Sequence, residues 1–225
     1  MIKGILFDFD CTLSARYISA YHLFRDVLKE LRPDLDPKSI EFESIVQRCM
    51  IWDEYGSIKK DHCFSLLQKY YVPEMDVDEW KVRWDETFGD YQVLMPGVKK
   101  TLPLLKEKYK LGVLTNGNAR YQKKKITHTK IEQYFDAIVA TGDYGIHKPD
   151  PKIYEIAAEQ MGLKPEEVAF IGDTFATDIY GAINAGMLPL WFEYEHKCIA
   201  EYPVKIVRSY DEIRHLFLED TSWMQ

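Results

Sequence analysis

The sequence predicts an α/β protein: a doubly wound, parallel, Rossmann-like sheet core with an all-helical cap domain inserted near its start. Three observations carry this. An apolar, β-prone run from Ile2 to Phe7 ends abruptly in the acids Asp8 and Asp10. Residues 15–95 then read as helix with hardly any strand signal. From Met95-Pro96-Gly97 onward, short apolar runs alternate with helical stretches of about ten to fifteen residues, the signature of βα units in a parallel sheet. The expected boundaries are a core of 1–14 and 96–225 and a cap of 15–95.

Ile2 to Phe7 has the continuous hydrophobicity of a strand buried on both faces. In the cap, Tyr17 to Leu31 carries Ala20, Phe24, Val27, Leu28 and Leu31 at helical spacing. Asp36-Pro37 reads as a cap and first-turn proline for a helix through Phe42, Ile45, Val46 and Cys49, stopping near Gly56. A third helix is expected from about Ile58 to Tyr71, where Val72-Pro73 ends it. Asp76 to Glu79 has capping-box spacing, and the helix behind it lines up Val77, Trp80, Trp84 and Phe88. Trp80 and Trp84 read as cap core.

In the core, Val98 to Tyr109 is expected to be helical, with Pro103 a local irregularity. Strands follow at Leu111–Leu114, Ala137–Ala140, Val168–Ile171, Leu188–Tyr194 and Val204–Val207. Helices are expected at Tyr121–Tyr134, from Asp150-Pro151 to Gly162, at Asp178–Gly186 and at Tyr210–Leu218. No internal repeat or low-complexity linker interrupts them.

A chain of 225 residues suffices for one large domain, or a core plus a smaller one. Its 46% hydrophobic and 29% charged residues match the balance of an ordinary soluble globular protein. The net charge of −7 argues against a nucleic-acid or anionic-membrane partner. No stretch approaches the roughly eighteen apolar residues of a membrane span. The start carries neither a basic region nor a small-residue cleavage site, so a secretory leader is not expected. Cys11, Cys49, Cys63 and Cys198 lack CxxC or zinc-ligand spacing, and a reducing, cytoplasmic setting is the default expectation.

Three strands, ending at Phe7, Leu114 and Ile171, each deliver small polar or acidic residues at their carboxyl ends, which share one edge of a parallel sheet. Asp8, Asp10, Thr115, Asn116, Asp173 and Asp178 should therefore converge. Asp-x-Asp alone could equally be a strand followed by an acidic turn; three independent strand ends make a site the better reading. Several bare carboxylates in one place raise one another's pKa or demand a cation. An all-oxygen, acid-rich site without His or Cys suits a hard ion, and Mg²⁺ is the usual choice beside phosphate. Lys148, in His147-Lys148-Pro149-Asp150-Pro151, is a candidate counter-charge. The Thr115 hydroxyl and the backbone amides of Asn116 and Gly117, at a helix start, suit an anion. A carboxylate nucleophile, a second carboxyl, a cation and an anion cradle together suit phosphoryl transfer through an aspartyl-phosphate.

With these motifs in view, the chain resembles the haloacid dehalogenase superfamily with a helical, C1-type cap. The motifs stand as Asp8-Phe9-Asp10-Cys11-Thr12, Thr115-Asn116-Gly117, Lys148-Pro149 and Gly172-Asp173-Thr174-Phe175-Ala176-Thr177-Asp178, in the family's order. The resemblance implies that Asp8 is the nucleophile and Asp10 the general acid/base. It implies that Thr115 holds the phosphoryl group and that Lys148 pairs with Asp8 and the phosphate. It implies Mg²⁺ on the Asp8 side chain, the Asp10 carbonyl and Asp173, with Asp178 reaching it directly or through water.

An acid at position 10 favours phosphoryl chemistry over dehalogenation, and Cys11-Thr12 in place of the mutases' Gly-Val favours hydrolysis over transfer. Gln122 and Lys125-Ile126, read as helix-surface residues, add a similarity to the nucleotidase and sugar-acid phosphatase subgroup. Cys11 departs from the Gly, Asn or Asp common at its position, either as a tolerated small side chain or as an oxidant-sensitive thiol. Arg16, Arg48, Trp52, Lys59 and Lys60 of the cap are candidates to receive the organic part of a substrate, or else surface and packing residues. The expected function is a Mg²⁺-dependent phosphatase of small phosphomonoesters, nucleotide or sugar phosphates foremost. The expected partner is a small phosphorylated metabolite, with neither nucleic acid nor membrane, and the expected state a monomer or weak dimer. The alternatives are a phosphomutase of the same fold and a non-catalytic binding or regulatory protein.

Overall fold

Among the described residues, six parallel strands form one sheet in the order β3-β2-β1-β4-β5-β6. They are β1 (Gly4–Phe7), β2 (Lys110–Thr115), β3 (Ala137–Ala140), β4 (Val168–Gly172), β5 (Leu188–Phe192) and β6 (Lys205–Val207). The computed structural model describes residues 1–194 and 197–224. The chain divides into two compact units: Met1–Ala15 with Leu94–Gln225, which contains the sheet, and Arg16–Val93, which is helical.

The chain winds outward from β1 through β2 to β3, then crosses back to lay β4 on the other side of β1. That reversal puts the topological switch point at the carboxyl ends of β1 and β4, where an open sheet leaves a crevice for ligands. Alternation along β1 sends Ile5 and Phe7 into one apolar layer and Leu6 into the other. The first layer is completed by α5 (Val98–Lys106), α6 (Ala119–Thr129) and α9 (Tyr210–Leu218), and the second by α7 (Pro151–Gln160) and α8 (Tyr180–Asn184).

The cap consists of α1 (Arg16–Leu31), α2 (Ile40–Asp53), α3 (Lys60–Tyr70) and α4 (Val77–Thr87) around its own core. Trp80 and Trp84 lie in that core, and the Trp84 and Phe24 rings are 4.5 Å apart at their centroids. Asp76 caps α4 by accepting from Glu79 N–H at 3.0 Å. At the head of α2 the expected cap is displaced. Ser39 Oγ accepts from Phe42 N–H at 3.1 Å, while Asp36 and Pro37 form the preceding turn. Arg16 and Lys60 both pair with the buried carboxylate of Asp53, so two cation candidates are engaged within the cap itself. Trp52 packs against Tyr70, and Arg48 and Lys59 are exposed.

Two core helices also differ from expectation. The segment expected to run unbroken to Tyr134 stops at Thr129, where Lys130 takes a left-handed conformation at φ 58°. The expected helix 178–186 is a π-helical turn, Phe175–Ile179, followed by the short α8. There the Asp178 carboxylate folds back to accept from Thr174 N–H at 2.9 Å, so its local bonding differs from that of a regular helix.

Candidate active site

The register pairs Phe7 with Ile171, so Asp8 and Asp173 emerge from adjacent strand ends. Asp8 N–H extends the ladder by donating to Ile171 C=O at 2.9 Å. Beyond β1 the chain closes tightly: the N–H groups of Leu13 and Ser14 both donate to Phe9 C=O, at 2.9 and 2.8 Å. This turn puts Cys11 at φ 59°, a region that Gly, Asn and Asp enter with least penalty. The thiol is buried.

Lys148, 5% exposed, approaches from the loop after β3. Its backbone is clamped by the Asn116 side chain, whose Oδ1 accepts from Lys148 N–H at 2.9 Å and whose Nδ2 donates to Lys148 C=O at 3.3 Å. The ammonium donates to Asp8 Oδ1 at 2.6 Å and to Asp178 Oδ1 at 2.7 Å. Asp173 completes the group: carboxylate oxygens of Asp8, Asp173 and Asp178 lie within 4.8 Å of one another. Trp191 Nε1 donates to Asp173 C=O at 2.6 Å and ties this strand end to β5. Gly172 is required by close approach, since a Cβ there would come within 2.5 Å of the Asp178 side chain.

One ammonium thus pairs with two of three buried, clustered carboxylates. Burial pushes the Asp8 carboxyl up to about 7; the charges of Asp178 and Asp10 add to the rise and Lys148 opposes it. Burial, then Asp178 and Asp8, raise Asp173 well above the carboxylate range. Burial alone would lower Lys148, but Asp178 and Asp8 outweigh it and hold the ammonium charged. Fully ionised, the three carboxylates would exceed the charge of the one lysine; burial and mutual repulsion raise Asp8 and Asp173, and all the cluster's donors are hard oxygens. That is the donor set of a hard divalent cation, and the residues fit one.

Asp10 stands apart from the three. Its Oδ2 lies 2.7 Å from Lys125 Nζ and 3.4 Å from Gln122 Nε2, both on α6. Thr115 is buried at the end of β2. The expected amide cradle differs in two respects. Gly117 N–H is already donated to Thr141 Oγ1 at 3.1 Å, and α6 starts two residues later, capped by Asn118. Asn116 serves the site through Lys148. Gln122 and Lys125, expected on a helix surface, are each 7% exposed. A clue lay in their neighbour Ile126: an apolar residue marks the buried face, and Gln122 is four positions before it.

The chain matches the haloacid dehalogenase-like hydrolase family over residues 5–191. It is 31% identical over 220 residues to the glyceraldehyde 3-phosphate phosphatase of Pyrococcus furiosus, covering 90% of this chain and 89% of that one. It is 36% identical over 104 residues to the N-acylneuraminate-9-phosphatase of Mus musculus, covering 46% and 42%. Among solved structures, the HAD-hydrolase YfnB of Bacillus subtilis, bound to magnesium, superposes with a TM-score of 0.76 at 23% identity, covering 96% of this chain and 99% of that one. With three acids and a lysine gathered at the switch point of such a sheet, the chain belongs to the haloacid dehalogenase-like hydrolase family.

Proposed function

We propose that the protein is a Mg²⁺-dependent phosphatase of small phosphomonoesters, working through a phosphoryl group carried on Asp8. The observation that carries the reading is the pairing of Lys148 with Asp8 inside an acid cluster, while a second carboxyl, Asp10, is held separately. Relatives named as phosphatases of glyceraldehyde 3-phosphate and of N-acylneuraminate 9-phosphate support the substrate class.

A carboxylate oxygen of Asp8 attacks phosphorus in line with the ester oxygen. The bond to that oxygen breaks, and Asp10 gives its proton to the departing alkoxide. The phosphoryl group is then an acyl phosphate on Asp8. Asp10, now a carboxylate, takes a proton from water as that water attacks phosphorus. The bond to Asp8 breaks, inorganic phosphate leaves, and both acids return to their starting states. Lys148 and the Thr115 hydroxyl donate to the phosphoryl oxygens as charge redistributes over them. Asp8 and Asp173, with Asp178 and the Asp10 carbonyl, would hold the Mg²⁺, which supplies charge neutralisation at phosphorus.

The test is phosphate release from a panel of sugar, glycolytic and nucleotide monophosphates, with Mg²⁺ and with EDTA. Release is expected only with Mg²⁺ and is expected to vanish in Asp8→Asn. Metal-independent release, or undiminished turnover by Asp8→Asn, overturns the reading.

A further inference from the structure

We infer that Lys125, seconded by Gln122, is a positioning residue that fixes the Asp10 carboxyl for proton transfer. The inference rests on the phosphatase reading. Lys125 and Gln122 are three residues apart on α6 and so share one helix face. Both are buried, and both direct nitrogens at the same atom, Asp10 Oδ2, at 2.7 and 3.4 Å. A buried lysine is uncommon unless paired. Here the pairing joins helix α6 to the loop after β1, 115 residues away in the chain.

The support is built into the neighbouring backbone. Gln122 Nε2 also donates to Asn116 C=O at 2.8 Å, so the amide is oriented by the same segment that clamps Lys148. Gly117 leaves room for it: a Cβ there would stand 3.0 Å from Gln122 Nε2, and the residue's φ of 124° excludes most side chains besides. The Asn118 side chain anchors the first turn of α6 by accepting from Arg120 N–H at 3.0 Å. Strand end, glycine, cap and helix therefore set where Lys125 presents its ammonium.

An Asp carboxyl turns easily about its Cβ–Cγ bond, and either oxygen could carry the proton. Two N–H donors on Oδ2 end that freedom, because an oxygen accepting both is not the one that holds the proton. Oδ1 is thereby assigned to the leaving group in the first step and to water in the second. Asp10 acts on the reacting atoms; Lys125 acts through Asp10.

The experiment compares wild type, Lys125→Met and Lys125→Arg, all full length with Mg²⁺, on two esters. One is an alkyl monophosphate that wild type hydrolyses, whose alkoxide needs a proton to leave. The other is p-nitrophenyl phosphate, whose phenolate leaves without one. Single-turnover rates and melting temperatures are read for each protein. Lys125→Met is expected to slow alcohol release about 10²-fold, within the usual span of general acid catalysis, with little change in KM. First-turnover nitrophenolate release should fall by less than about threefold, since that step does not call on the general acid. Lys125→Arg, which keeps the charged donor, should recover most of the alkyl rate.

Equal losses on the two esters, or a loss confined to KM, overturn the inference. If Lys125→Met does not fold, the same comparison with Gln122→Leu decides, with a smaller difference in the same sense. Failure of wild type to hydrolyse any phosphate ester would instead sink the phosphatase reading, so the two failures are distinguishable.

Discussion

Lys148 Nζ lies 2.6 Å from Asp8 Oδ1, a contact between residues 140 positions apart. The same ammonium reaches Asp178, so one lysine answers two of three clustered carboxylates. Replacing it by Met removes the ammonium that both carboxylates share. Lys148→Met is expected to lower kcat by on the order of 10²–10³-fold, the usual cost of one donor to the developing charge. In EDTA it should also lose about 3–5 kcal/mol of stability, as when one partner of a buried pair is removed. Steady-state kinetics and urea unfolding check both parts.

The raised Asp8 carboxyl makes the stability of the metal-free protein depend on pH. A carboxyl raised from 3.8 to about 7 binds its proton more tightly folded than unfolded. Its stabilising contribution is therefore complete below pH 3.8 and is lost as pH rises through about 7. At about 1.4 kcal/mol per pH unit, the loss is on the order of 4 kcal/mol. In EDTA, wild type should lose more stability than Asp8→Asn between pH 5 and 8. Added Mg²⁺ should raise the wild-type melting temperature more at pH 8 than at pH 5, because cation and proton compete for the same carboxylates. Equal pH slopes for the two proteins in EDTA would contradict this account.

Gly172 is the residue whose missing side chain lets Asp178 reach the cluster. Gly172→Ala should cost about 1–3 kcal/mol through overpacking, since its Cβ would fall 2.5 Å from the Asp178 carboxylate. It should also shrink the Mg²⁺-dependent rise in melting temperature. A variant with wild-type melting and a wild-type Mg²⁺ response would show that the strand end yields more easily than its packing indicates.

Within the cap, Asp53 holds Arg16 and Lys60 together, Arg16 at 2.5 Å, and both cations also lie over aromatic rings, Phe88 and Trp84. The effects of removal should be unequal. Asp53→Ala strands two buried cations and should cost about 3–5 kcal/mol, whereas Lys60→Met leaves the Arg16–Asp53 pair intact and should cost less. Chemical denaturation of the two variants measures the difference.

Much of this protein is legible in one dimension. Alternating βα units require a parallel sheet, and a parallel sheet gathers its strand ends on one edge, so the approach of Asp8 and Asp173 follows from motif order. The cap's helical stripes likewise announce Trp80 and Trp84 as core. Tertiary structure decided the rest, because partners and burial depend on which face a helix turns inward. Gln122 and Lys125 read as solvated residues until α6 is laid on the sheet and they meet Asp10. The Gly117 amide reads as an anion donor until Thr141 accepts its hydrogen bond. Arg16 and Lys60 read as either substrate-facing cations or packing residues until Asp53 closes on them. The chain by itself determined which chemical groups the site contains; folding decided which of them face each other and which are already taken.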